Sequence, residues 1–436
     1  MNRERRRRAE RKQRPAREVR ALPGWPPAPT VVGDVAGLTS ASALADGQLA
    51  DRTAARSAEP ARRRSQRPAH PPLPISAAEL RTTVVGCGAL EGVPPQALGV
   101  TYGFDPPREG NPLAVTVQFD GVRRITAGRA GPRDRFSVRE TAWPVLPGSG
   151  RVSITARVID IAAGEWIVTA FPVHPKDGER LGEPVVVTGA TAFGPVVGAR
   201  APGVRLGAWP ALVSLGAVLA VALQVLLAGR AGLPMGPVLA VSLIACLVGL
   251  VGARLYFVVE NPHAPRGLMR ITTGLCVQGF VLAATGAVAA GAWLTGLPLG
   301  IVLDATAPGL LFGMAIGRLG CFLGGCCTGR PTASRFGVWC SDRRLGVRRI
   351  PTQLIEAAIA LGIGLAALSL EWVGPTLPYG GVFVVALAAY TLGRQMVFPY
   401  RSVARRSPFT SRVIAGICIA VIFLAAAWPL LPRVTP

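Results

Sequence analysis

Histidine, lysine and acidic residues are all scarce in this chain. Only three histidines (His70, His174 and His263) and two lysines (Lys12 and Lys176) occur in 436 residues, and 24 Asp and Glu face 47 Lys and Arg. No histidine lies near the cysteine-rich run after Gly317, so no mixed Cys/His metal pattern is available there. Cys87 is the only cysteine between residues 76 and 199, which excludes a disulfide joining strands of that segment. The basic start is followed by no apolar stretch and does not read as a secretory signal. No hydrophobic run of bilayer length precedes Leu206. Beyond it such runs recur, and they exclude a purely soluble protein. With half of the chain hydrophobic, the formal charge of +23 does not mark a nucleic-acid binder, and none is expected as a partner.

Charge and pattern divide the chain into three. Residues 1–75 form an Arg-, Pro- and Ala-rich tail that cannot bury enough apolar surface to offset its ordering entropy and is expected to be disordered. It reads either as a polybasic arm on anionic lipid or as a solvated tail. In residues 76–199 the pattern alternates apolar with polar, as in Leu113–Phe119, Phe136–Arg139, Arg151–Ile159 and Glu165–Phe171. Glycine and proline clusters punctuate the runs. Short strands at this spacing predict a small all-β sandwich of immunoglobulin-like type, serving as a spacer or interaction module.

Residues 205–436 hold seven apolar stretches long enough to cross a bilayer, near 207–229, 233–258, 268–294, 297–324, 352–373, 379–399 and 411–432. They predict a polytopic all-α membrane domain, closely packed through Gly and Ala. Seven spans place the N-terminus and the second, fourth and sixth loops on one side. Those loops carry twelve arginines, against Arg230 and Arg433 on the other. The positive-inside rule makes that side cytoplasmic.

Charge inside a membrane is costly and therefore informative. Arg254, Arg318 and Arg394 lie within or near the ends of spans. Arg318 stands among Gly317, Gly320 and Gly324, where a planar, permanently charged guanidinium suits bidentate binding of phosphate. Snorkelling to the interface, or pairing with Asp304 or Glu356, are the structural alternatives. Three arginines converging from separate helices would form an anion cage. Cys321, Cys326, Cys327 and Cys340 follow C-x4-C-C-x12-C, which matches no zinc or iron–sulfur spacing, so neither metal nor cofactor is expected. Close packing, a Cys326–Cys327 or Cys326–Cys340 disulfide, and a reactive thiol all remain open. The Gly313-x3-Gly317 step reads as helix packing.

The spans and the run Gly317-Arg-Leu-Gly-Cys … Gly329-Arg-Pro-Thr332 resemble the bacterial prolipoprotein diacylglyceryl transferases over about residues 205–432. Pro351-Thr-Gln-Leu-Ile-Glu356 is similar to that family's HPSQLYE segment, and Gly252-Ala-Arg-Leu-Tyr256 to its GGRxGY step. Gly274-Leu-Cys-Val-Gln-Gly279 falls at an FHGG-like turn, and Arg394 and Arg401 align with arginines of the sixth span.

The resemblance implies a multi-pass protein of the bacterial inner membrane that moves diacylglyceryl from phosphatidylglycerol to the lipobox cysteine of a prolipoprotein, releasing glycerol phosphate. It implies catalytic roles for Arg318, Arg394 and Gln278, the last standing where the family has histidine. It implies substrate contacts for Trp209, Arg254, Gly320, Cys321, Gly329, Arg330, Gln353, Glu356 and Arg401. Ile350, Ile355 and Phe398 replace family His, Tyr and Glu, so no evident general base remains. Two further readings stand beside the enzyme: a non-catalytic phospholipid-binding protein of the same fold, and a thiol-redox membrane protein. The family's orientation also puts the N-terminus outside, against the arginine count, which favours a cytoplasmic tail.

Overall fold

The computed structural model describes residues 70–83, 92–125, 131–260, 276–374, 377–402 and 408–428. The Arg-rich tail up to residue 69, Cys87 and the expected start of the third span at 268–275 lie outside the described residues.

Among the described residues eight strands precede the spans: β1 Ser76–Thr82, β2 Gln96–Asp105, β3 Leu113–Arg123, β4 Arg135–Val145, β5 Val152–Ile159, β6 Glu165–Val173, β7 Val185–Ala190 and β8 Ala192–Phe193. Each expected run is a strand. Alternation sorts their faces, so that in β6 Trp166, Val168 and Ala170 point inward while Ile167 is exposed. Two antiparallel sheets close over one core that includes Tyr102, Phe104, Phe119, Ile154 and Trp166. β2 is buried almost end to end because a short helix, Gly194–Ala199, covers its other face. A side chain at Gly99 would meet Thr83 and Val197 within 3.1 Å.

One sheet of the module draws strands from beyond residue 199. One sheet runs β4-β3-β6-β7. The other runs β1-β2-β5-β10-β9, and its last two strands, β9 Val338–Ser341 and β10 Leu345–Arg349, come from the loop between the fourth and fifth spans. Leu345 and Gly346 pair with Ile154 and Ser153 of β5, and Val347 enters the module's core. Trp339 Nε1 donates to the Arg151 carbonyl at 2.8 Å. Arg157 reaches the carbonyls of Val197 and Arg200 at 3.3 and 2.9 Å and that of Arg343. A loop hairpin has too little apolar surface to fold alone, and the exposed edge of β5 supplies the missing ladder. The N-terminal module and the fourth loop therefore share one face of the molecule, as the span count requires.

Among the described residues seven helices are long and apolar enough to cross a membrane. They are α1 Ala208–Arg230, α2 Met235–Glu260, α3 Val277–Thr295, α4 Leu299–Leu323, α5 Thr352–Val373, α6 Gly381–Val397 and α7 Pro408–Ala427. Their packing follows the glycines. Cβ atoms at Gly216 and Gly309 would stand 2.7 and 2.5 Å from backbone oxygens of the facing helix, so α1 and α4 approach backbone to backbone. Gly252 and Gly279 do the same for α2 and α3. Gly313 belongs to the first of these seams; Gly317 meets only Val213, at 3.7 Å.

Candidate active site

Four chain segments meet at the end of the bundle that carries the β module. The last turns of α4 bring Arg318, Gly320 and Cys321; the start of α5 brings Gln353 and Glu356; the end of α6 brings Tyr390 and Arg394; Arg401 follows it. Glu356 lies at their centre, 1% exposed. Arg318 Nε stands 2.8 Å from one of its oxygens and Arg401 Nε 3.5 Å from the other. Among the described residues neither oxygen has a well-directed hydrogen bond, so charge holds the carboxylate there. The Tyr390 hydroxyl lies 3.5 Å from an Arg318 nitrogen. Arg394, above the Phe398 ring, feels the charges of Arg318, Glu356 and Arg401.

The arginines expected as a cage are Arg254, Arg318 and Arg394; those that lie around Glu356 are Arg318, Arg394 and Arg401. Arg318, Arg394 and Arg401 converge, and Arg318 does pair with Glu356. Asp304 is engaged elsewhere: it accepts from the Gly380 and Phe383 amides at 2.6 and 2.9 Å, capping α6. The Arg254 guanidinium lies over the Phe257 ring of its own helix. Gln278 is exposed in the first turn of α3, where its Oε1 accepts from the Cys276 thiol at 2.9 Å. Trp209 contributes backbone contact: a Cβ on Gly320 would sit 3.3 Å from its Cα.

Residues 328–331 thread between two other segments. Gly329 bridges to Arg401 and Pro331 to Arg349, while the amides of Arg330 and Ile350 donate to Tyr400 and Arg330 carbonyls at 2.8 and 3.0 Å. Gly329 has to be glycine, because a Cβ there would lie 2.1 Å from the Ile350 oxygen. Arg330 Nε donates to the Arg401 carbonyl at 3.3 Å. Thr352 Oγ1 and Gln353 Nε2 donate to the Cys327 and Cys326 carbonyls at 3.3 and 2.9 Å, anchoring the loop after α4.

Two contributors escaped the sequence. Tyr390 stands one turn before Arg394 on the same helix face, a spacing that could have found it. Arg349 is buried and donates to Gly329 O at 3.2 Å, Asp342 Oδ2 at 2.7 Å and Leu345 O at 3.1 Å, so it ties the site strand to the β10 hairpin. Nothing in its Arg-Arg surroundings marked it.

The cysteines part company. Sγ of Cys321, Cys326 and Cys327 lie within 4.8 Å of one another, whereas Cys340 sits apart on β9. All the described cysteines are free thiols. Burial pushes Cys340 up to about 11. Hydrogen bonds from Cys321 and Cys326 pull Cys327 well below the usual thiol range, with Arg401 and Arg318 adding to the effect, while contacts with Cys321 and Cys327 push Cys326 up.

Comparison with known proteins gives one answer. The sequence pattern of the family described as prolipoprotein diacylglyceryl transferase matches residues 197–431. A Streptomyces coelicolor protein named phosphatidylglycerol–prolipoprotein diacylglyceryl transferase 2 is 37% identical over 34% of this chain and 50% of its own length. Proteins named phosphatidylglycerol–prolipoprotein diacylglyceryl transferase in Dehalococcoides mccartyi and Bifidobacterium adolescentis are 32% and 30% identical over 35% and 42% of this chain. This chain spans 60% and 62% of those two. The matches fall in the C-terminal part, where the arginine cluster lies.

Proposed function

Because the chain belongs to the prolipoprotein diacylglyceryl transferase family, we propose that it transfers diacylglyceryl from phosphatidylglycerol to the lipobox cysteine of a prolipoprotein in the bacterial inner membrane. The observation that carries this reading is the convergence of Arg318, Arg394 and Arg401 on Glu356. Three guanidiniums against one carboxylate leave two uncompensated positive charges in a buried site. The substrate phosphodiester brings one negative charge. The departing glycerol phosphate gains a second as the carbon–oxygen bond breaks. A fixed surplus of two therefore favours the transition state over bound substrate, which is the condition for acceleration rather than mere binding.

Glu356 keeps the guanidiniums apart and oriented before lipid arrives, and Gly329 and Arg330 hold the Arg401 strand in place. The acceptor sulfur is the nucleophile. It attacks the glyceryl carbon, the electron pair of the breaking bond moves to the phosphate oxygen, and the thiol proton is balanced by the phosphate product or water. Gln278, carried in by the resemblance as a catalytic residue, cannot act as a base at neutral pH, since an amide does not titrate there. A protein that binds phospholipid without turning it over is the second reading, favoured by that missing base.

Arg318→Lys separates a clamp from a snorkelling side chain, because lysine keeps the charge but loses the rigid fork. The variant is expected to stay folded and membrane-inserted yet lose roughly 3–4 kcal/mol of transition-state stabilisation, on the order of a hundredfold in rate. Arg335→Lys, in the exposed loop, should change little. The assay is lipidation of a reporter lipoprotein in cells depleted of their own transferase, with phosphatidylglycerol binding measured in parallel. Near-normal lipidation by Arg318→Lys would discard the clamp. Lipid binding without lipidation by the parent would leave the second reading standing.

A further inference from the structure

We propose that Cys321, Cys326 and Cys327 form a three-thiolate site for a zinc ion whose open fourth position takes the acceptor thiol, an inference that rests on the transferase reading above.

The spacing C-x4-C-C hid this site, because Cys321 ends a helix and the other two lie on the turn that reverses it. Gly325, at φ 66°, and Cys327, at φ 55°, fold that turn back on the helix end. The Gln353 and Thr352 contacts hold the Cys326 and Cys327 carbonyls. The three sulfurs consequently face one another within 4.8 Å. Tetrahedral zinc, with Zn–S near 2.3 Å, sets neighbouring sulfurs about 3.8 Å apart, so closure needs side-chain movements of about 1 Å or less.

Three donors are what a catalytic rather than a structural zinc uses. Among the described residues no His, Asp or Glu joins the cluster. Cys321 is buried and Cys326 half-buried, while Cys327 is exposed, so the group has an open side. A coordinated thiol is deprotonated outright. Zinc would thus present the acceptor sulfur directly as thiolate. Arg318 is one helical turn from Cys321, and both Arg318 and Arg401 act on Cys327, so nucleophile and phosphate would be held side by side.

The step balances without an oxidant. The acceptor thiol releases its proton to water on binding zinc, and its sulfur forms the carbon–sulfur bond. The carbon–oxygen bond breaks with its electron pair on phosphate, and glycerol phosphate leaves with or without that proton. Zinc keeps its charge throughout. The thioether product, a weaker ligand than thiolate, vacates the fourth position.

The full chain, purified in detergent under reducing conditions and supplied with zinc, should retain about one zinc per chain. Cys321→Ser and Cys327→Ser should lose it, and Cys246→Ser should not. Cobalt(II) in place of zinc should show thiolate-to-metal absorption. A short peptide with one cysteine should raise that absorption by about a third, as thiolates go from three to four, and its serine counterpart should leave it unchanged. The cobalt measurement uses the parent protein, so it stands even if a variant misfolds. Zinc retention no greater than in the serine variants, or copper(I) held in preference with no response to peptide, overturns the proposal. Undiminished lipidation by the chain stripped of metal would sink the zinc site and spare the transferase reading. Metal and peptide response without lipid-dependent thioether formation would do the reverse.

Discussion

The β module and the helical bundle reach burial by opposite means. The module packs large side chains: Trp166, Tyr102, Phe104 and Phe119 are each at most 1% exposed, in a core of apolar residues. The bundle packs backbones through glycine and then spends the space gained on polar groups, burying Arg318, Glu356, Gln353 and Asp304. A core of the first kind contributes stability in proportion to the area it removes from water and tolerates change of shape before change of polarity. A buried charge cluster gives little net stability but is costly to break. The difference teaches where function lies. The module is built to be firm, the bundle to hold charge where lipid phosphate would sit, and the β9–β10 hairpin joins the two.

The sharpest test of that contrast is Glu356→Ala. It strands Arg318 and Arg401 without their shared counter-charge, and should cost about 3–5 kcal/mol in thermal or chemical unfolding of the detergent-solubilised protein. A loss below 1 kcal/mol would mean that solvent already screens the cluster. Next comes Trp166→Ala, expected to destabilise the module by about 3–4 kcal/mol through lost burial and a cavity. Since β10 belongs both to that core and to the loop bearing Arg349, phospholipid binding should weaken as well. Unchanged lipid binding in a chain whose module has melted would show that the two regions work separately.

A smaller effect is expected at Gly329→Ala. The new methyl meets a backbone oxygen that cannot swing aside, so the strand must shift, at about 1–3 kcal/mol. Because that strand pairs with Arg401, lipidation should fall further than stability does. The smallest is Arg157→Ala, which removes hydrogen bonds to carbonyls on both sides of the module–loop junction. It should cost about 1–2 kcal/mol and increase hydrogen exchange in β5 and β10 while leaving β3 and β6 protected. Uniform exchange across both sheets would locate the junction elsewhere.

Much of this architecture was legible beforehand. Strands β3 to β6 were visible because an apolar–polar alternation has a period of two residues, and the spans because bilayer thickness demands about twenty apolar residues. Arg318 stood out because permanent charge among glycines in a span is costly unless used. The apolar pattern puts the start of the third span near residue 268, in a stretch outside the described residues, and the described helix α3 runs Val277–Thr295.

Local pattern thus determined which stretches become strand or span and which residue types the membrane would have to hold. It could do so because periodicity and hydrophobic length act over a few neighbouring residues. Tertiary structure alone decided that residues 338–349 complete a sheet begun about 260 positions earlier, that Glu356 serves Arg318 and Arg401 while Asp304 caps a helix, and that three of four clustered cysteines face one another. Each of these depends on the meeting of segments distant in the chain, where contact is set by packing and by the cost of leaving a strand edge or a buried charge unpartnered.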